Sequence, residues 1–130
     1  MIRKSLYDYL SGFEKSIFMY AEETLLCYRV LHETEFSIYN CPSAQIVHLE
    51  GGSFENGMNE FRAKCIADGN YIYHKIAYGD AKAKKYLKVM MRIYKRKMNI
   101  ARILNKEKLY IKFSMLNNAF RYKITEIDNK

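Results

Sequence analysis

The apolar residues of segment 81–104 recur at a helical spacing, and this pattern constrains the fold more than any other feature of the chain. A period near 3.6 residues is typical of an amphipathic helix with one buried stripe. Asp80 can cap the start of this helix, and Asn105 can end it. The residues predicted on its apolar face are Leu87, Met90, Ile93, Tyr94, Met98, Ala101 and Leu104.

The opposite face of this predicted helix is basic, and it carries Lys85, Lys88, Arg92, Lys95, Arg96 and Arg102. The net charge of +8 is unevenly distributed. Residues 1–60 hold four Lys or Arg against nine acids, whereas residues 61–130 hold eighteen against five. This asymmetry is typical of a surface that meets an anionic membrane, a nucleic acid or an acidic partner. A solvated face on a helix that packs only within its own domain is an equally good interpretation.

Similar spacing predicts further helices over residues 5–10, 22–32, 58–78 and 109–120, although Ile111-Lys112-Phe113 is equally typical of the start of a strand. Gly69-Asn70 is expected to kink the helix over 58–78, and Gly79 is expected to end it. The tail at residues 126–130 is expected to fray. The chain is therefore predicted to be largely helical from residue 58 onward.

Two short segments are predicted as strands. Phe36-Ser37-Ile38-Tyr39 alternates between apolar and polar residues, and Gln45–Leu49 follows it after a turn at Pro42-Ser43. The predicted fold class is therefore α/β, or more narrowly an α+β unit with a short strand pair. It divides into a mixed, acidic part over residues 1–56 and a basic helical part over residues 57–130.

Cysteine usage and hydropathy limit the compartment. Cys27, Cys41 and Cys65 form no Cys-x-x-Cys motif, so neither a zinc knuckle nor a disulfide framework is indicated. Free thiols are typical of a reducing cytoplasm. No signal peptide and no apolar window of roughly 20 residues is present. We predict a cytoplasmic location, which allows peripheral attachment to the inner face of the cytoplasmic membrane.

The first candidate for chemistry is the acidic pair Glu22-Glu23, which lies at the start of a predicted helix. The helix macrodipole keeps a carboxylate at this position ionised, and an ionised carboxylate suits a general base. A carboxylate that only stabilises the helix end is the more common structure at this spacing. The pair alone therefore leaves both interpretations open.

A second candidate group lies near residue 50. His48 follows a predicted strand, where a histidine can ligate a metal or contact a phosphate, or can be a core residue. Gly51-Gly52-Ser53 can bring backbone N–H groups close to a diphosphate, or can be a plain turn. Neither motif is specific by itself.

Taken in order, these motifs resemble the family 2 glycosyltransferases of the GT-A fold, particularly the rhamnosyltransferase-like members. The resemblance covers residues 1–55, and the helical remainder fits only loosely. The matching segments are Met1-Ile2-Arg3-Lys4, Ser11-Gly12-Phe13, Phe18-Met19-Tyr20-Ala21-Glu22-Glu23, Leu26-Cys27-Tyr28-Arg29, Pro42-Ser43-Ala44 and Val47-His48-Leu49-Glu50-Gly51-Gly52-Ser53.

The resemblance implies an inverting sugar transfer from a nucleotide sugar to a polysaccharide or lipid-linked acceptor. It implies that Glu23 is the catalytic base and that Glu22 supports it. It also implies that His48 helps to hold a divalent metal, Mn²⁺ or Mg²⁺, and that Gly51-Gly52-Ser53 contacts the donor diphosphate. The fold implied is the C-terminal, acceptor-side portion of a GT-A domain.

The chain departs from the family pattern in three places. Leu25 stands where family members often carry an acid, and Ser11 stands where a glycine is common. The Asp-x-Asp metal motif of the nucleotide-binding half does not occur in the sequence. We therefore expect a partial enzyme that is inactive alone, whether it is an excised domain, a truncated product or one half of a split enzyme.

The alternative hypothesis is a non-catalytic helical module that binds a membrane or a partner through Lys85, Lys88, Arg92, Lys95 and Arg96. Nucleic-acid binding ranks last, because no recognised module accompanies the charge. Apolar surface around residues 13–20 and 36–49 would need a cover without the donor half, so a homodimer or a strand exchange is predicted.

Overall fold

The part of the chain that the structure describes folds into helices alone. The computed structural model describes residues 1–47 and 57–129. Its elements, in chain order, are α1 (Lys4–Tyr9), α2 (Glu22–Glu33), α3 (Glu60–Tyr78), α4 (Asp80–Ile103) and α5 (Glu107–Asp128). The described residues contain no strand, so the predicted α/β class, with its strand pair from a GT-A fold, is wrong.

The predicted strand pair does not form among the described residues, because a strand needs an adjacent strand for its backbone hydrogen bonds. Residues 36–40 and 44–47 are irregular chain, and Phe36, Ile38 and Tyr39 remain exposed. A single extended segment leaves its backbone donors and acceptors unpaired unless another strand lies beside it. The described residues provide no such strand, and the end of the second predicted strand, at residues 48–49, lies outside them.

Helices α3, α4 and α5 pack around one apolar core. The connection between α3 and α4 is Gly79 alone, and that between α4 and α5 is residues 104–106, so successive helices run antiparallel. Alanines on α3 and α4 allow close approach of the helices, while larger side chains fill the centre. The buried members are Ala63, Ala67, Tyr71, Ala83, Leu87, Leu116 and Phe120.

Helix α3 is one continuous helix through Gly69 and Asn70, and the kink there stays a prediction. Two predicted helix ends need correction. Asp80 is the first residue of α4 rather than its cap, and its carboxylate accepts a hydrogen bond of 2.7 Å from the Tyr71 hydroxyl. Helix α5 continues to Asp128, so the tail at 126–128 is helical rather than frayed.

Helices α1 and α2 form a smaller apolar cluster of Leu6, Leu10 and Val30. The Tyr28 hydroxyl on α2 donates a 2.8 Å hydrogen bond to the Ala77 carbonyl on α3, which joins this cluster to the bundle. The division of the chain at residues 56 and 57 stays a prediction.

None of the helices in residues 1–47 and 57–129 is both long enough and apolar enough to cross a bilayer.

Candidate functional site

The acidic pair lies at the start of α2, where the sequence placed it. Two residues with left-handed backbone, Tyr20 (φ 66°) and Ala21 (φ 72°), precede the helix. Ala21 has no side chain that could cap α2, so the first-turn carboxylates face the unsatisfied N–H end of the helix. The pair therefore occupies the positive end of the macrodipole.

The two carboxylates differ in their surroundings. Glu23 is exposed. Glu22 is half-buried, and its Oε2 is shielded from solvent without a hydrogen-bond partner among the described residues. Of the two carboxylates, Glu23 is therefore the one that solvent and a solute can reach.

Glu23 opens onto a cleft of about 740 Å³ between α1, α2 and the extended segment that follows α2. This volume lies within the range of small-molecule sites. The Arg3 guanidinium lies 5.7 Å from the centre of the Phe36 ring, which ties that segment to α1. Apart from Arg3, Glu23, Glu35 and Ser37, the lining is apolar or sulfur-containing: Met1, Ile2, Leu6, Phe13, Leu26, Cys27, Val30, Phe36, Ile38 and Tyr39.

The other predicted donor-site residues, His48 and Gly51-Gly52-Ser53, lie outside the described residues. Among residues 1–47 and 57–129 there is no group of three or more His, Cys, Asp or Glu side chains that could hold a metal ion. Cys27, Cys41 and Cys65 are free thiols, as the sequence predicts. The acidic pair is therefore the part of the predicted reaction site that the structure describes.

The basic face of α4 is exposed along its length. We call Lys85, Lys88, Arg92, Lys95 and Arg96 the basic stripe. All five side chains are exposed, and none forms an ion pair with another described residue.

Four of the five acids in residues 61–130 pair with cations outside the basic stripe. Lys84 lies 3.7 Å from Asp80 and 3.7 Å from Asp128. Lys123 lies 2.9 Å from Asp68, and its ammonium also contacts Glu126 at 3.1 Å. Although burial lowers the pKa of Lys123, hydrogen bonds to these two carboxylates raise it overall. The basic stripe is thus left as uncompensated charge.

One predicted position on the apolar face of α4 is wrong. Leu104 lies beyond the end of the helix and is 60% exposed. Ile100 and Ile103 are also exposed, and they continue the line of the basic stripe toward the α4–α5 turn. The buried face of α4 instead ends at Ala101.

Aromatic rings of α2, α3 and α4 form a junction that the sequence patterns did not predict. Tyr28 stacks on His32 at 4.0 Å between ring centres, and His74 stacks on Tyr86 at 3.7 Å. Tyr78 contacts both Tyr28 and His74. The spacing of four residues between Tyr28 and His32, and between His74 and Tyr78, is the signal that could have revealed it.

The two histidines of this junction have fixed orientations. His32 Nδ1 lies 2.9 Å from the Tyr28 carbonyl, and His74 Nδ1 lies 2.8 Å from the Asn70 carbonyl. A carbonyl only accepts, so Nδ1–H donates in both rings. These contacts account for both histidines as packing groups where α2, α3 and α4 meet.

No family model matches this chain, and no curated protein and no solved structure is significantly similar to it.

Proposed function

We propose that this chain forms the acceptor side of an inverting sugar transfer, with Glu23 as the general base. The observation that carries the proposal is the position of Glu23, an exposed carboxylate on the first turn of α2 that lines a cleft of ligand size. The ordered motifs over residues 1–55 support it. The proposal rests on the site and not on a GT-A fold.

The chemistry assigned to Glu23 is proton transfer. As the acceptor hydroxyl oxygen attacks the anomeric carbon of a nucleotide sugar, the carboxylate accepts the hydroxyl proton. The bond from the anomeric carbon to the nucleotide diphosphate breaks, and the configuration inverts. The sequence contains no Asp-x-Asp motif, so the proposal assigns donor binding to a nucleotide-binding part that acts together with this chain.

An NMR titration of the chain with short-chain alkyl glycosides and free oligosaccharides tests the acceptor cleft. Shifts confined to residues that line the cleft, including Glu23 and Phe36, are expected. Glu23→Gln should alter these shifts, and Glu60→Gln is its matched control, because Glu60 is also an exposed acid in the first turn of a helix but lies on α3. If no glycoside perturbs the cleft, or if the shifts lie elsewhere, the acceptor assignment is wrong.

We propose a second, non-catalytic function: attachment to an anionic membrane surface through the basic stripe. The observation that favours it is the set of five exposed cations on one helix face without acidic partners in the described part of the chain. Each Lys or Arg held near an anionic surface contributes about 1 kcal/mol, and the attraction falls off within a Debye length.

Co-sedimentation with phosphatidylcholine vesicles, with and without phosphatidylserine, tests this function. The triple variant Lys88→Glu, Arg92→Glu and Lys95→Glu should weaken binding to the anionic vesicles by at least about 100-fold, since three attractions of about 1 kcal/mol are lost. Reversal of Lys64, Lys112 and Arg121 changes the net charge equally but spares the stripe. If both triple variants lose the same amount of vesicle binding, net charge and not the basic stripe explains the binding. If the chain binds RNA more tightly than it binds anionic vesicles, a nucleic acid is the favoured partner.

A further inference from the structure

The turn between α4 and α5 carries an exposed aliphatic surface. Ile100 is 55% exposed, Ile103 is 79% exposed, Leu104 is 60% exposed and Leu109 is 45% exposed. We call these four residues the hairpin tip. Asn105, in a left-handed conformation, lies within the turn that joins the two helices. A cluster of large aliphatic side chains in water is typical of an interaction surface.

Helix lengths explain why α3 does not cover the tip. Helix α4 has 24 residues and α3 has 19, so they are about 36 Å and about 28 Å long. Helix α3 ends and α4 begins at Gly79, so these two ends lie side by side and the helices run antiparallel. The last turn of α4 and the first turn of α5 therefore project past the beginning of α3.

The basic stripe leads directly into the hairpin tip. Arg92, Arg96 and Ile100 follow one another at four-residue spacing, which places them on one face of α4, and Ile103 continues it. Around the tip, Arg102, Lys106 and Lys108 are exposed, with Glu107 among them. The surface thus consists of the basic stripe followed by the aliphatic hairpin tip, and most of the charged residues around the tip are cations.

We propose that the hairpin tip inserts into the acyl boundary of an anionic bilayer while the basic stripe contacts the lipid headgroups. This inference rests on the proposed membrane function and specifies how the protein binds. An anionic bilayer presents negative charge directly above hydrocarbon, which matches cations next to aliphatic side chains. The long stems of Arg102, Lys106 and Lys108 let their charges stay in the headgroup layer as the tip enters.

Other partners match this surface less well. A nucleic acid offers phosphate but no hydrocarbon for Ile103 and Leu104. A second copy of the chain, docked through the same face, would bring two unpaired basic stripes together, and like charges at close range repel. Charge complementarity therefore favours the bilayer.

Because the chain contains no tryptophan, Leu104→Trp introduces a single fluorescent reporter at the tip. With vesicles of phosphatidylcholine and phosphatidylserine, its emission should shift to the blue, and lipids brominated on the upper acyl chain should quench it. Tyr122→Trp is the matched control, since Tyr122 is 63% exposed on α5 away from the turn. Its emission should change little.

A second pair of variants tests the contribution of the tip without changing charge. Ile103→Asn with Leu104→Asn should weaken binding to the anionic vesicles by at least about 10-fold and leave the helical circular dichroism unchanged. Ile76→Asn is the control, because Ile76 is an exposed aliphatic residue on α3. It should leave vesicle binding unchanged.

The outcomes separate insertion from surface attachment. Vesicle binding by the Leu104→Trp variant without a blue shift or quenching of its tryptophan overturns insertion and leaves electrostatic attachment standing. No binding to anionic vesicles overturns both. A blue shift that grows with protein concentration in the absence of lipid assigns the tip to self-association and overturns insertion. Insertion into phosphatidylcholine alone that equals insertion into vesicles with phosphatidylserine overturns the role of the basic stripe.

Discussion

The backbone carbonyl of Tyr20 lies against Gly69 in the space that a side chain there would need. Gly69 is buried in the middle of α3, and the Met19 carbonyl is also close to it. This contact places the strained Tyr20-Ala21 turn, and thus the start of α2 with its acidic pair, directly on the bundle. The position of Glu23 therefore depends on a glycine 46 positions further along the chain.

Substitution Gly69→Ala should destabilise the protein by about 2 kcal/mol or more. In an open helix this change stabilises by up to about 1 kcal/mol. Here the added methyl group overlaps a backbone carbonyl that cannot move without shifting the turn before α2. Urea denaturation followed by circular dichroism measures the effect, with Lys64→Ala on the exposed side of α3 as the control. A gain in stability for Gly69→Ala would show that the turn is not held against α3.

Stability should fall between pH 10 and pH 12. Burial, and next the hydrogen bond to Asp80, raises the pKa of Tyr71 to about 12 from an ordinary value of 10. The hydrogen bond to Tyr78, and next burial, raises the pKa of Tyr73 to about 12. The folded protein keeps protons that the unfolded chain releases, so the contribution is complete below pH 10 and is lost as the pH rises through 12.

Urea midpoints measured across this pH range test the alkaline effect. Tyr71→Phe should flatten the decline, because it removes one of the protons that the folded protein retains in this range. Tyr122→Phe, at an exposed site, should leave the decline unchanged. A wild-type midpoint that stays constant from pH 10 to pH 12 contradicts the assignment.

The isolated chain should catalyse no sugar transfer. Its sequence lacks the Asp-x-Asp motif, and residues 1–47 and 57–129 contain no cluster that could hold a metal. Incubation with a panel of nucleotide sugars, Mn²⁺ and the glycosides used for titration provides the measurement. Turnover above the rate without protein would show that donor binding resides in this chain.

Periodicity predicted the helices well because a helix with one buried face has apolar residues at a regular spacing along the local sequence. The long run that begins at residue 81 and the start of α2 at Glu22 both appear in the structure within one residue. The exposed cations of the basic stripe also follow from that register. Local spacing was enough for these features.

Features that depend on distant residues were missed. The alternation in Phe36–Tyr39 indicates a strand, but pairing needs a second strand that the described residues do not supply. A glycine inside a helical pattern predicts a kink. The structure shows a different role for Gly69, which leaves room for the Tyr20 carbonyl, and this contact joins residues far apart in sequence. The cleft beside Glu23 is formed by the packing of α1, α2 and the segment after α2. A short stretch of sequence does not show how these three segments pack.

The most direct measurement of the central claim is sugar incorporation in cells that depend on this chain. The coding sequence is deleted and replaced with wild type, Glu23→Gln or Glu60→Gln, and transfer from labelled nucleotide sugar to glycan is measured. We predict that deletion abolishes incorporation, that wild type and Glu60→Gln restore it, and that Glu23→Gln restores about 100-fold less or lower still, as expected for loss of a general base. Full restoration by Glu23→Gln, or unchanged incorporation after deletion, would contradict the assignment of Glu23.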